Sequence, residues 1–238
     1  MIKSIFWLIL VPALLPVFLV FWYVYSKDKY EREPLSLVLK TMFFGALFSP
    51  VCIPIENLFD YIISYFFGYD ALLYDFIENI VGVAVVEELV KFAVLMIFIW
   101  KNENFDYRYD GIVYAVSASL GFAALEIVLY IVHFGTGVSI GRAVFSIPGH
   151  AAFGVFMGFY LSRAKHWHLR GIWFLKIVAL LFCVAIPVAI HGMYDFLLSD
   201  TAQERGWQNA FYVFVLILDW LACRIIRHEF RRDRPLGR

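Results

Sequence analysis

Seven stretches of this chain approach the length of about 20 mostly apolar residues that carries a helix across the hydrocarbon core of a bilayer. They lie at roughly 4–25, 35–55, 77–100, 111–133, 143–162, 172–197 and 209–226. Of the 238 residues, 62% are hydrophobic, 19% aromatic and only 17% charged, whereas a soluble domain carries about 25% charged residues. Too few polar side chains remain to cover a globule of this size, so lipid must be the solvent for much of the surface. The expected fold is all-α, a polytopic bundle of about seven transmembrane helices. Residues 1–238 form one integral membrane domain with no repeat, low-complexity tract or second soluble domain.

The first apolar run is longer than the 7–15 residues usual for a signal peptide, lacks a small-x-small cleavage site and is followed by Lys27 and Lys29, so it reads as a retained helix. Formal net charge is zero, which gives no reason to expect a nucleic-acid partner. The distribution of charge is more informative. Lys27, Lys29 and Arg32 share one side with Lys101, Arg108, Arg163, Lys165, Arg170 and the tail from Arg224 to Arg238, while Lys3, Arg142 and Arg205 are on the other. Basic flanks stay in the cytoplasm, so the chain is expected in the cell membrane as a multi-pass protein with its N-terminus outside and its C-terminus cytoplasmic. His166 and His168 fall in an expected cytoplasmic loop and read as solvated. Cys52, Cys183 and Cys223 fall in apolar runs without metal-binding spacing and read as buried thiols. From Glu56 to Glu78 the chain holds Asp60, Asp70 and Asp75 among many aromatics and no Lys or Arg, a composition that suits a helix lying in the membrane interface.

Ionisable residues within the spans are the functional signal, because each costs about 2.5–3.5 kcal/mol at the bilayer centre unless it has a partner or a task. The third span holds Glu87, Glu88 and Lys91, the fourth Glu126, the fifth His150, and the sixth His191 and Asp195. At a rise of about 1.5 Å per residue, Glu87 lies roughly 15 Å from the outer edge, Glu126 and His150 about 10 Å and His191 about 9 Å. Four helices thus deliver acid and base groups to one layer in the outer half of the membrane. Residues four apart share a helix face, so Glu87 is expected to pair with Lys91 and Asp195 to orient His191. Glu88 points about 100° away from Glu87, so one glutamate is expected to lead the chemistry while the other holds a neighbouring helix.

Such a set suits activation of water. A carboxylate in a low-dielectric cavity acts as general base and then acid, and imidazoles polarise a carbonyl or bind an oxyanion. Alternatively there is zinc, with Glu126, His150 and His191 as ligands and a further glutamate as base. Two other classes use similar residues: a zinc-dependent membrane hydrolase acting on a lipid amide, for which His133, His150 and His191 are the available histidines, and a proton-coupled transporter. The transporter reading is weakened by the lack of two related halves.

In order along the chain, E-E-x-x-K at Glu87, Glu88 and Lys91, F-x-x-x-E at Phe122 and Glu126, His150, and H-x-x-x-D at His191 and Asp195 resemble the motifs of the PrsW family of intramembrane proteases, which is related to the CAAX-prenyl-protease and bacteriocin-processing group. The resemblance covers a core of about residues 77–198. It implies a peptide-bond hydrolase that cuts a single-pass membrane protein, such as an anti-sigma factor, near the extracytoplasmic face at the first step of regulated proteolysis. By this resemblance Glu87 activates water with Glu126 assisting, and His150 and His191 stabilise the oxyanion or, in a metal-dependent version, bind the ion. The prenyl-protease branch ends its second motif in histidine, so Glu126 argues against a CAAX substrate.

Overall fold

A computed structural model describes the backbone of residues 2–68, 71–134 and 136–237 and the side chains of 13–68, 72–132 and 145–237. Asp70 and the side chains of Lys3, His133 and Arg142 lie outside the described residues. Helices dominate: α1 (Ile2–Lys27), α2 (Leu35–Phe48), α3 (Cys52–Phe67), α4 (Ala71–Ile77), α5 (Val85–Phe98), α6 (Asp110–Phe134), α7 (Thr136–Leu169), α8 (Trp173–Leu198), α9 (Asp200–Glu204) and α10 (Gln208–Arg231). A π-helical segment, Glu78–Ala84, joins α4 to α5. Among the described residues there is no strand, only an isolated bridge between Tyr107 and Pro235.

The fold is a helical membrane bundle. Leu35–Phe67, Asp110–Val132, Trp173–Leu198 and Gln208–Arg231 are each long and apolar enough to cross a bilayer by length and composition alone. α1, the continuous run 71–98 and α7 take the places of the other three expected spans. Leu181, Leu216, Ile97 and Phe182 project outward and exposed, as side chains facing lipid do.

Two boundaries differ from the sequence reading. The second span continues from α2 through a 3₁₀ turn at Ser49–Val51 into α3, making a single run of 33 residues, so Glu56 sits inside this helix rather than opening a separate interfacial one. Pro50 is the second residue of the turn and Pro54 the third of α3, first-turn positions where a missing N–H costs little. Exposed Tyr61, Tyr65 and Phe66 cluster at the far end of α3. α7 in turn extends to Leu169, which places His166 on a helix, buried, its Nδ1 bonded to the Leu236 carbonyl at 2.5 Å; only His168 is solvated. Cys52 and Cys183 are buried as expected, whereas Cys223 is exposed on α10.

α6 is the central helix, packed along α7 and α2 and touching α1 and α5. Small residues allow that intimacy, since membrane helices gain association energy from close backbone approach. Gly121 of α6 lies against the backbone of Met42 in α2, and Gly158 of α7 against the backbone of Gly111 in α6.

At the basic end of the bundle, acidic side chains tie the α1–α2 loop to the start of α6 and to the tail. Asp28 accepts the Glu33 N–H at 2.9 Å, Glu33 accepts the Tyr114 hydroxyl, and Asp233 accepts the Tyr109 N–H at 2.9 Å. Asp28, Glu33 and Asp110 are buried. Burial, reinforced by Asp233 and Glu31 and opposed by Arg32 and the Glu33 N–H, pushes the Asp28 carboxyl up to about 6; burial likewise raises Glu33.

Gly121→Ala forces a methyl into the Met42 backbone, and the expected loss is about 1–3 kcal/mol, read from denaturation in detergent. The raised Asp28 pKa means that its protonated form favours the folded state: this contribution is complete below the unfolded value of 3.8 and is lost as pH climbs through about 6. The thermal midpoint is therefore expected to fall between about pH 4 and 6 and to level off above that as far as Asp28 is concerned, and Asp28→Asn to flatten that dependence.

Candidate active site

The sequence-predicted residues converge from four helices. Glu87 and Glu88 stand in the first turn of α5, directly after the π-helical segment, and Lys91 one turn on. The Lys91 ammonium donates to Glu88 Oε1 at 2.7 Å, to Glu87 Oε2 at 3.2 Å and to His150 Nδ1 at 3.0 Å. It also lies 4.4 Å from the centre of the Phe122 ring, a cation–π contact. One ammonium thus joins α5 to α6 and α7.

The two histidines have different partners and therefore different protonation. His150 accepts from the Lys91 ammonium at Nδ1 and faces Glu126 Oε2 from Nε2 at 2.9 Å, a pairing that suits the neutral tautomer with its hydrogen on Nε2. His191 faces Glu88 Oε1 from Nδ1 at 2.9 Å, and Asp195 Oδ2 from Nε2 at 3.0 Å. Carboxylates on both ring nitrogens suit the imidazolium. Glu87 Oε2 lies 3.8 Å from His191 Nε2. Phe153 stacks on the His191 ring with centroids 4.6 Å apart, fixing its plane.

Burial orders these groups from floor to rim. The side chains of Lys91 and Glu88 are fully enclosed, Glu87 keeps 9% exposure, and Asp195 and Glu126 keep 22% and 24%. Both glutamates of the doublet bind Lys91, despite their divergence around the helix, because the long lysine side chain reaches between them. Glu88 also holds α8 through His191.

Glu56 is a neighbour that sequence reading did not assign to the site. It lies on α3 within electrostatic reach of Glu126, His191 and Asp195, with a buried Oε1 that has no hydrogen-bond partner among the described residues. A carboxylate within an apolar run that could continue past Pro54 was the available signal. The π-helical segment was also unforeseen; such segments often accompany functional sites. Here Ile80 seats directly on Gly192 of α8, one residue from His191.

Glu87, Glu88, His150 and His191 offer one ligand atom each within 4.8 Å of one another. Glu126, a ligand in the metal-dependent version, faces His150 Nε2 at 2.9 Å beside this group.

Removing Lys91 leaves two buried carboxylates with His191 as their one remaining cationic neighbour among the described residues. Lys91→Met is expected to cost about 3–5 kcal/mol and to lower the denaturation midpoint in detergent well beyond the effect of Glu126→Gln at the rim.

Residues 33–222 match the sequence profile of the family described as "PrsW family intramembrane metalloprotease". The chain is 40% identical to "Protease PrsW" of Oceanobacillus iheyensis, covering 88% of this chain and 92% of that protein. It is 38% identical to "Protease PrsW" of Geobacillus kaustophilus over 90% and 88%, and 32% identical to that of Bacillus subtilis over 85% and 86%. No solved structure matches the chain. With the motif residues gathered in one buried cluster and relatives of this similarity along most of its length, the chain belongs to the PrsW family and is a membrane-embedded protease.

Proposed function

We propose that this protease cuts a single-pass membrane protein, an anti-sigma factor being the leading class, near the extracytoplasmic face, with water activated by Glu87. The observation that carries the role of Glu87 is its place between floor and rim: of the two glutamates on Lys91, it alone retains exposure, 9% against 0% for Glu88. A base needs contact with water and a low-dielectric wall together. Glu88, enclosed between Lys91 and His191, acts as a positioning residue.

In this reading Glu87 takes a proton from water as the oxygen attacks the scissile carbonyl, and the proton passes on to the leaving amine. The His191 imidazolium lies 3.8 Å from Glu87 and, with its two N–H groups held by Glu88 and Asp195, supplies positive charge beside the developing oxyanion. His150 directs its Nε2–H at Glu126 and so orients the rim carboxylate, which assists. Orientation follows from the basic residues, with the N-terminus outside. Measured from the basic ends of α5, α6, α7 and α8, Glu87, Glu126, His150 and His191 lie roughly 16–28 Å along their helices, which in that orientation puts the chemistry toward the outer leaflet.

The family description names a metal. Two imidazoles and two carboxylates are donors that zinc accepts, and the unpaired buried Glu88 Oε2 is a further available oxygen. Glu87, Glu88, His150 and His191 would hold the ion, with Lys91 displaced, because its ammonium now contacts three of the four. When bound, such an ion polarises the carbonyl and acidifies water.

Cleavage of a co-reconstituted single-pass substrate, with metal content measured on the same sample, separates the two versions. Glu87→Gln is expected to reduce cleavage by about 10²–10⁴-fold in a protein that still folds, with wild type active without stoichiometric metal. Stoichiometric zinc lost on His150→Ala or His191→Ala would transfer the water-activating role to the ion.

A further inference from the structure

A cavity of about 470 Å³ opens at the basic end of the bundle, far from the carboxylate cluster, lined by Arg108, Arg163, His166, Arg170 and Arg234. Its walls come from three parts of the chain. Arg163 and His166 on the last turns of α7 and Arg170 directly after it recur at three- and four-residue spacing, and the Arg170 N–H still bonds the His166 carbonyl at 3.2 Å, which keeps them on one face. Arg108 enters from the loop before α6 and Arg234 from the tail after α10.

The tail is held in place by named bonds. Arg108 N–H donates to the Arg234 carbonyl at 3.2 Å, Leu236 N–H to the Asp106 carbonyl at 2.6 Å, and His166 to the Leu236 carbonyl. Ser162 Oγ donates to the Arg108 carbonyl at 2.7 Å, fixing the opposite wall. Retention of basic flanks in the cytoplasm requires only cations near span ends. Favourable charge at the C-terminal end of α7 explains Arg170. Neither explains why Arg108 and Arg234 are brought to face it across a cavity.

Their charges are poorly compensated. Among the described residues only Arg163 of the four has a carboxylate within ion-pair distance, Glu229 at 3.0 Å. Arg108 has its proton affinity lowered by partial burial and by the neighbouring charges of Arg234, Arg163 and Arg170. Guanidinium forks around a solvent-sized space match the geometry of phosphate oxygens, and basic pockets among membrane helices bind anionic headgroups.

We propose that this cavity binds a phosphate group, carried either by an anionic phospholipid headgroup or by free phosphate. Ligation there relieves the repulsion among the arginines and locks the tail onto α7.

The test uses the full chain, delipidated in detergent, with wild type beside the double variant Arg108→Gln/Arg234→Gln and the separate variant Arg170→Gln. Short-chain phosphatidylglycerol and phosphatidylcholine are titrated by native mass spectrometry. Inorganic phosphate is titrated by thermal shift at constant ionic strength, with chloride as control. Phosphatidylglycerol binding at least tenfold weaker in both variants and resistant to millimolar phosphate identifies the headgroup. A phosphate-specific rise in the wild-type midpoint that both variants lose, together with competition against the lipid, identifies the free anion. Equal binding of phosphatidylglycerol and phosphatidylcholine with no phosphate-specific shift overturns the proposal, as does anion binding unchanged by the substitutions. Arg170 is exposed at the end of α7, so its variant keeps the test decisive if the double variant fails to fold.

Discussion

Everything around the active centre depends on one ammonium group. Lys91 is fully buried and bonded to Glu87, Glu88 and His150, so a single positive charge neutralises part of a carboxylate cluster and clamps α5 to α7. In lipid this is a strong constraint. Apolar side chains gain nothing by leaving hydrocarbon for one another, and helix association rests on close packing and polar contacts. The glycine contacts bring α2, α6 and α7 together, and the Lys91 network then sets which faces of α5, α7 and α8 point inward. Because buried charge is expensive to leave unpaired, the network has few alternative arrangements of comparable energy.

The same network divides labour between chemically identical groups. Glu87 and Glu88 are neighbours in sequence, yet one is sealed between Lys91 and His191 and the other reaches toward the rim. His150 and His191 differ as clearly, one facing a cation and a carboxylate, the other facing carboxylates at both nitrogens. Environment rather than residue type separates the roles, the usual way a fold obtains acid and base behaviour from a short list of side chains.

How much of this was legible in the sequence follows from the solvent. Hydrocarbon penalises charge so strongly that Glu87, Glu126, His150 and His191 stood out against their apolar runs, and helical spacing alone paired Glu87 with Lys91 and Asp195 with His191. Contacts between distant segments left no such mark. His166 looked like a loop histidine because its partner, the Leu236 carbonyl, lies 70 residues away. Asp28 and Glu33 carried no signal in the sequence, since their burial depends on the folded start of α6 and the tail. Glu56 was hidden for a different reason: Pro50 and Pro54 resemble the end of a span, although the helix passes through both.

The π-helical segment has a consequence for chain length. Glu78–Ala84 sits immediately before the glutamate doublet and is wedged against Gly192 of α8 through Ile80. Each residue added or removed there turns everything downstream by about 100° unless the wide turn absorbs it. A one-residue deletion that left the wide turn in place would move Glu88 into the place of Glu87 and put Leu89 against His191, whereas one absorbed by tightening the turn into an ordinary helix would keep the doublet in phase. The segment therefore works as a phase setting between two helices, and the doublet keeps its two distinct roles only while that phase is held.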